Sequence, residues 1–123
     1  MSRVDPTAEQ LARLAEFPAD TPVVMINLLG FKPDGGSESY ARYAAEVQPH
    51  LQRVGGRLLY GGGAQQMVIG EQADPWWDAV LAVEYPSVQA FISMVSDPDY
   101  QAIHVHRENA LERAELIATA HGM

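Results

Sequence analysis

Residues 23–29 read Val-Val-Met-Ile-Asn-Leu-Leu, and this stretch decides the fold. Its β-branched and aliphatic side chains, between turn-forming residues, predict a strand that is buried on both faces. A strand of that kind lies in the middle of its sheet. Asn27 alone interrupts the apolar run. The rest of the fold is therefore expected to surround a central strand that carries one buried amide.

The part of the chain that follows this strand has the period of an amphipathic helix. After a loop at residues 32–36, apolar side chains recur three and four positions apart from Tyr40 to Val54. Ser37 is the predicted cap at the start. Gly55-Gly56 is a typical helix exit, and Pro49 predicts a kink inside the helix.

Glycine and proline divide the next part of the chain into two strands. Residues 57–60 and 65–69 flank Gly61-Gly62-Gly63, which predicts one strand interrupted by a bulge or bend. Asp74-Pro75 predicts a hairpin turn. Residues 76–85 predict the third strand.

The last part of the chain contains two helix starts and one more strand. Ser87 caps the first helix, and Asp97-Pro98 starts the second with aspartate as cap and proline in the first turn. Residues 115–120 predict the final strand. The order βαββαβ is the ferredoxin-like arrangement, an α+β fold whose four-stranded antiparallel sheet carries its helices on one face.

The N-terminus adds a helix to this core. We predict it over residues 6–17, with two alternative starts: Asp5 as cap with Pro6 at the first position, or Thr7 as cap with Gln10 reaching back to it. The chain is then one domain, 1–123, with residues 1–20 as a helical extension and residues 22–120 as the ferredoxin-like core.

The face of the sheet without helices lacks partners within the chain. Alternating positions on both faces of the strands are apolar, among them Val23, Met25, Leu58, Tyr60, Val80 and Ala82. An apolar sheet face of this size is typical of an interaction surface. We therefore predict a homodimer that buries it.

Composition excludes several classes of protein. The 123 residues include no cysteine, 16 acidic and 8 basic side chains, for a net charge of −8. Without cysteine there is no thiolate nucleophile, Cys-type zinc site or iron–sulfur cluster. The acidic balance argues against nucleic-acid binding. No stretch has the length of a signal-peptide core or a membrane span, so we expect a cytoplasmic protein without membrane contact.

Several short motifs, in order, carry a resemblance to a known family. They are Tyr40 with Tyr43, Gly55-Gly56-Arg57, Tyr85-Pro86-Ser87, and Asp97-Pro98-Asp99-Tyr100 followed by Arg107. Over about residues 22–120 the chain resembles a bacterial family of domains of unknown function in the dimeric α/β-barrel superfamily. The resemblance implies a ferredoxin-like protomer whose sheet packs on its twin to form a barrel. It brings no agreed catalytic residues.

The helix that starts at Pro98 carries the candidate catalytic residues. Tyr100, His104 and Arg107 share one face of it. Charged groups are rarely buried without partners. One interpretation is that Arg107 holds a ligand carboxylate or enolate while His104 moves a proton. The other is that Arg107 pairs with an acid at the dimer interface and His104 is partly exposed.

The candidate substrate-binding residues are Asn27, Tyr40, Tyr43, Arg57, Trp77 and Tyr100. Each has a structural alternative. Asn27 could polarise a carbonyl or satisfy a bulged backbone. The tyrosines could contact a ligand or belong to the core. Arg57 could line a pocket mouth or form an ion pair at the strand end. Trp76 and Trp77 point to opposite faces of a regular strand, so at least one is core or interface.

We predict no metal and no tightly held cofactor. The four histidines include no H-E-x-x-H motif, and the imidazoles of His104 and His106 diverge on a helix. The first functional hypothesis is a cofactor-free enzyme, monooxygenase-like or isomerase-like, which acts on a small oxygenated molecule between sheet and helices. The alternatives are a non-catalytic ligand-binding or stress-related dimer, and a haem protein with His104 as axial ligand.

Overall fold

The computed structural model describes residues 4–72 and 76–121 and confirms the predicted order of elements. A first helix precedes a ferredoxin-like βαββαβ core in which the second crossover contains two helices. The elements are α1 (Ala8–Leu14), β1 (Val23–Phe31), α2 (Gly36–Val54), β2 (Arg57–Gly63), β3 (Ala79–Tyr85), α3 (Val88–Ser96), α4 (Pro98–Ala110) and β4 (Leu111–Thr119).

The four strands form one antiparallel sheet in the order β2-β3-β1-β4. β1 is therefore internal, as its largely apolar sequence predicted. Met25 of β1 pairs with Val83 of β3 on one side and with Ala118 of β4 on the other. Directly opposed residues share a face in an antiparallel pair, so these three side chains lie on the same side of the sheet.

That side of the sheet carries the hydrophobic core. Val23, Met25 and Tyr85 pack with Val47 and Leu51 of α2, which follow one another at the i, i+4 spacing of a helix face. The core also takes in Val88, Phe91 and Met94 of α3 and Tyr100 of α4. We call this side the helix face and the opposite side the open face.

The register divides the six apolar strand residues named above between the two faces. Val23, Met25 and Leu58 lie on the helix face, because Met25 and Leu58 both pair with Val83. Tyr60, Val80 and Ala82 lie on the open face. Tyr60 pairs with Ala82, and Ala82 pairs with Ile26, whose side chain points to the face opposite to that of its neighbour Met25.

Two predicted strands have different limits in the structure. β2 runs through the glycines to Gly63, because their backbone still pairs with β3, and the register shifts earlier, between Leu58 and Tyr60. The predicted continuation at 65–69 is not a strand, and Val68 and Ile69 are almost fully exposed. β3 begins at Ala79 rather than at residue 76. The predicted turn at Asp74-Pro75 lies outside the described residues.

The remaining element ends follow their capping chemistry. Thr7 caps α1 and Gln10 reaches back to it, which selects the second of the two predicted starts and shortens the helix to Ala8–Leu14. Gly35, in the left-handed conformation, precedes α2 in place of the predicted cap Ser37. Gly55, with φ near 80°, ends α2 as predicted.

The starts of α3 and α4 agree with the sequence prediction, whereas the start of β4 differs from it. Ser87 and Asp97 cap α3 and α4 as predicted, each accepting a backbone N–H in the first turn. β4 begins at Leu111, directly after α4, rather than at residue 115. Of the helices within residues 4–72 and 76–121, none has the length and apolar character to cross a membrane.

Candidate functional site

A cavity of about 1180 Å³ lies between the helix face of the sheet and the helices. Its floor is largely apolar and includes Met25, Leu81 and Val83. α2 and α4 form the opposite wall, and the segment before α1, residues 4–7, lies along one side. A largely apolar cavity with a few convergent polar groups is the usual form of a small-molecule site.

The cavity wall contains most of the residues that the sequence singled out. Those that line it are Asn27, Tyr40, Tyr43, Tyr100, His104 and Arg107. Helix periodicity explains this convergence. Tyr40 and Tyr43 lie one turn apart on α2, and Tyr100, His104 and Arg107 lie on successive turns of one face of α4. Asn27 lies two residues after Met25 in β1, so its side chain is on the same face of the sheet and faces the cavity. Its amide donates to the Met25 carbonyl at 3.3 Å.

Two predicted site residues lie elsewhere. Arg57 is exposed on the open face, where its Nε donates to the carboxylate of Glu84 at 2.9 Å. Trp77 lies before β3, with the guanidinium carbon of Arg113 3.7 Å from the centroid of its ring. Neither residue lines the cavity. The ion-pair interpretation of Arg57 is the one that its position matches.

Arg107 brings a buried positive charge to the cavity. Arg107 is only 9% exposed, and its Nη1 donates to the backbone carbonyl of Val4 at 2.6 Å. Among the described residues no carboxylate forms an ion pair with it. Burial of a cation without a paired anion is costly. A site that binds an anionic ligand would offset that cost.

His104 is engaged at both ring nitrogens. Its Nε2 lies 2.6 Å from a carboxylate oxygen of Asp5, and its Nδ1 lies 3.4 Å from the hydroxyl of Tyr100. The Tyr100 hydroxyl is in turn 2.8 Å from that of Tyr43. The four side chains form a continuous chain of hydrogen bonds from the N-terminal segment to the interior of the cavity.

Burial keeps the phenols of the cavity protonated. Loss of solvent raises the pKa of Tyr40 to about 12, and the neighbouring Tyr43 adds to this while the charge of Arg107 opposes it. Burial likewise raises the pKa values of Tyr43, Tyr85 and Tyr100. At neutral pH these side chains are therefore hydrogen-bond donors beside a guanidinium.

Two of these donors are unused. Within the described residues, the hydroxyls of Tyr40 and Tyr85 make no hydrogen bond, although both residues line the cavity and Tyr85 is only 5% exposed. Neither hydroxyl is among the fully enclosed side-chain atoms of the described residues that have no partner, so both are open to the cavity. The sequence predicted Tyr85 as the end of a strand, on the same face as Leu81 and Val83, and did not single it out as a site residue.

One group of side chains has the composition of a metal site. Potential ligand atoms of Asp5, His104 and Glu108 lie within 4.8 Å of one another. His104 and Glu108 are one turn apart on α4, and the Glu108 carboxylate is exposed. His106 does not join them, since its Nε2 lies 3.6 Å from Glu46. The geometry is equally that of a carboxylate hydrogen-bonded to an imidazole.

A known protein family matches most of this chain. The model of a domain of unknown function (DUF1330) matches residues 36–120. No curated protein matches the chain. Among solved structures, the RPA0582 protein of unknown function from Rhodopseudomonas palustris is 35% identical, with a TM-score of 0.90, over 100% of this chain and 99% of that one. This similarity includes the N-terminal residues that the family model does not reach.

More distant structures share the fold alone. A hydroxynitrile lyase from Passiflora edulis is 12% identical, with a TM-score of 0.63, over 84% of this chain and 95% of that chain. A dimeric protein of unknown function with a ferredoxin-like fold from Bacteroides fragilis is also 12% identical, with a TM-score of 0.55, over 84% and 99% of the two chains. The same architecture thus occurs in an enzyme and in proteins without an assigned activity, and fold does not decide between them.

Proposed function

We propose that this chain, which belongs to the DUF1330 family of domains of unknown function, binds a small oxygenated organic anion in its cavity and transfers a proton on it. The observation that carries the proposal is Arg107, a buried guanidinium with no carboxylate partner among the described residues, in the wall of a largely apolar cavity.

The wall defines the class of ligand. Arg107 provides planar donors for a carboxylate or an enolate. The unused hydroxyls of Tyr40 and Tyr85 add donors for further oxygen atoms, while Leu81 and Val83 offer an apolar floor. A ligand with one negative charge, two or three oxygen atoms and an aromatic or aliphatic body satisfies all of these groups.

The histidine provides the proton acceptor. A ligand with a C–H bond beside a carbonyl loses that proton to the Tyr100 oxygen, while the Tyr100 hydroxyl proton passes to Nδ1 of His104. The electron pair of the C–H bond moves into an enolate, whose oxygen is held by Arg107. Return of a proton to a different atom gives an isomer. This sequence needs no cofactor and no oxidant, and general acid–base catalysis of this type contributes about 10²–10⁴-fold in rate.

A homodimer is the proposed assembly. Tyr60 and Ile117 on the open face are 61% and 52% exposed, and Val80, Ala82 and Ile26 lie between them in the sheet. A second copy of the same face would cover these side chains. The cavity lies on the opposite side of the sheet, so each protomer retains its own site.

The test of binding uses two small anions of the proposed class. Benzoate and phenylpyruvate are titrated into the protein while the backbone amide ¹H–¹⁵N spectrum is followed by NMR. We expect saturable shifts at millimolar concentration or below, lost in Arg107→Met and retained in Arg42→Met, a change at an exposed arginine on α2. If neither anion produces a shift that depends on Arg107, the binding proposal is wrong.

The test of proton transfer uses phenylpyruvate, because its C3 protons exchange through an enol. Exchange in D₂O is measured against the rate without protein. We expect acceleration by the natural protein and loss of that acceleration in His104→Gln with binding intact. Binding of phenylpyruvate without accelerated exchange would contradict the catalytic part and support a non-catalytic binding protein.

A further inference from the structure

The segment ahead of α1 makes two contacts with the candidate catalytic residues of α4. The carboxylate of Asp5 lies 2.6 Å from Nε2 of His104, and the carbonyl of Val4 lies 2.6 Å from Nη1 of Arg107. These contacts join positions 99 and 103 residues apart. The segment precedes the part of the chain that the family model matches, residues 36–120.

We infer that Asp5 is a positioning residue of the site: its carboxylate sets the tautomer and ring orientation of His104, so that Nδ1 is the proton acceptor towards Tyr100. The inference rests on the proposed function for its purpose, and on geometry alone for its physical content. It makes the N-terminal segment part of the site rather than an appendage of the core.

Hydrogen-bond chemistry gives the direction of each proton in the chain. An ionised carboxylate can only accept, so Nε2 of His104 carries the proton that faces Asp5. In neutral imidazole the other nitrogen then has the free lone pair. Nδ1 therefore accepts from the Tyr100 hydroxyl, and Tyr100 in turn accepts from Tyr43. One carboxylate at the end of the chain thereby orders three further groups.

The same carboxylate stabilises the product of proton transfer. When Nδ1 takes a proton, the imidazole becomes a cation, and the Asp5 carboxylate lies directly against it. The side chain of Asp5 is 42% exposed and that of His104 is 17% exposed, so the pair connects the cavity with solvent. Val4 acts on Arg107 in a parallel way, since its carbonyl occupies one of the five guanidinium N–H groups and leaves the rest to a ligand.

The decisive experiment observes the tautomer directly, without any ligand. Long-range ¹H–¹⁵N spectra of the imidazole at mildly alkaline pH distinguish a protonated Nε2 from a protonated Nδ1. We expect His104 to be the pure Nε2–H tautomer in the natural protein and a mixture in Asp5→Ala. Glu9→Gln is the matched control, because Glu9 is an exposed acid on α1 whose partner is Arg13 at 2.6 Å. A mixture in the natural protein, or an unchanged spectrum in Asp5→Ala, would overturn the inference.

A second measurement separates positioning from a purely structural role. In Asp5→Asn we expect the phenylpyruvate exchange rate to fall about tenfold or more, within the range of general-base effects, while benzoate affinity changes less than about twofold, because Arg107 is untouched. Equal losses in rate and affinity would show that Asp5 merely holds the fold together. The tautomer result stands even if phenylpyruvate is never bound, so the two proposals can fail separately.

Zinc addition tests the competing use of the same atoms. If Asp5, His104 and Glu108 bind a metal, stoichiometric Zn²⁺ raises the melting temperature and moves the His104 signals, and Glu108→Gln abolishes both effects. That result would overturn the positioning role in favour of a metal site. Unchanged spectra with one equivalent of Zn²⁺ support the carboxylate–imidazole pair.

Discussion

The hydroxyl oxygens of Tyr43 and Tyr100 lie 2.8 Å apart, although the two residues are 57 positions apart in the chain. Their rings meet edge to face, with centroids 6.3 Å apart. This contact joins α2 to α4 within the wall of the cavity and places the Tyr100 hydroxyl beside His104. It therefore belongs both to the packing of the helices and to the proposed proton path.

Replacement of Tyr43 by phenylalanine should reveal both roles. The ring stays in place, but Tyr100 loses the partner that donates to it. We expect the free energy of unfolding to fall by about 1 kcal/mol, as for other buried hydrogen bonds, and phenylpyruvate exchange to slow. Urea denaturation measures the first effect. Ser37→Ala is the control, because the exposed Ser37 hydroxyl donates to Glu38 at 3.0 Å, and equal stability losses in the two variants would contradict the assignment.

Alkaline pH should destabilise the protein through its buried phenols. The pKa of Tyr40 is raised from 10.0 to about 12 in the folded protein, so the folded state binds the proton more tightly than the unfolded state. The resulting stabilisation is fully present below pH 10 and is lost as pH rises through about 12. For a shift of this size the contribution is about 3 kcal/mol.

The measurement is the free energy of unfolding from pH 9 to pH 12 by denaturant titration, with tyrosinate absorbance followed in parallel. In Tyr40→Phe the fall between about pH 10 and 12 should be shallower than in the natural protein, whereas Ser37→Ala, which removes an exposed hydroxyl, should leave it unchanged. Titration of all five tyrosines at their ordinary pKa in the folded state would refute this account.

The homodimer can be tested at one exposed position. Ile117 lies on the open face of β4 and is 52% exposed in the protomer, so Ile117→Lys should leave the fold intact and dissociate the dimer. Light scattering at micromolar concentration should show the mass of two chains for the natural protein and of one chain for the variant. Val105→Lys, on the outer side of α4 and 44% exposed, should remain dimeric. A monomeric natural protein would disprove the assembly.

Local patterns account for what the sequence could predict. The apolar run of β1, broken only by Asn27, identified the central strand, and helix periodicity placed Tyr100, His104 and Arg107 on one face of α4. These inferences need only the neighbours of each residue along the chain. The caps Ser87 and Asp97 were equally local.

Contacts and registers that depend on the whole fold were beyond such patterns. Asp5 meets His104 only because the N-terminal segment crosses α4, and no spacing rule connects positions 99 residues apart. The face occupied by Arg57 depended on where β2 shifts register, which lies between Leu58 and Tyr60 rather than at the glycines. Trp77 left the predicted site because β3 starts two residues after it.

Arg107 should be dispensable for stability and indispensable for binding. Its guanidinium is buried and its described partner is a single carbonyl, that of Val4. Replacement of a buried, unpaired charge by an apolar side chain of similar length removes the cost of keeping that charge out of water. We therefore expect Arg107→Met to unfold at the same urea concentration as the natural protein or at a higher one, while it no longer binds benzoate.

Arg107→Ala separates charge from volume, because it removes the side-chain packing as well and should lower the stability. If Arg107→Met is as destabilised as Arg107→Ala, the guanidinium stabilises the fold, and the proposal that it is an anion site is contradicted. If Arg107→Met is stable and has lost its affinity for benzoate, the buried guanidinium serves ligand binding and not the stability of the fold.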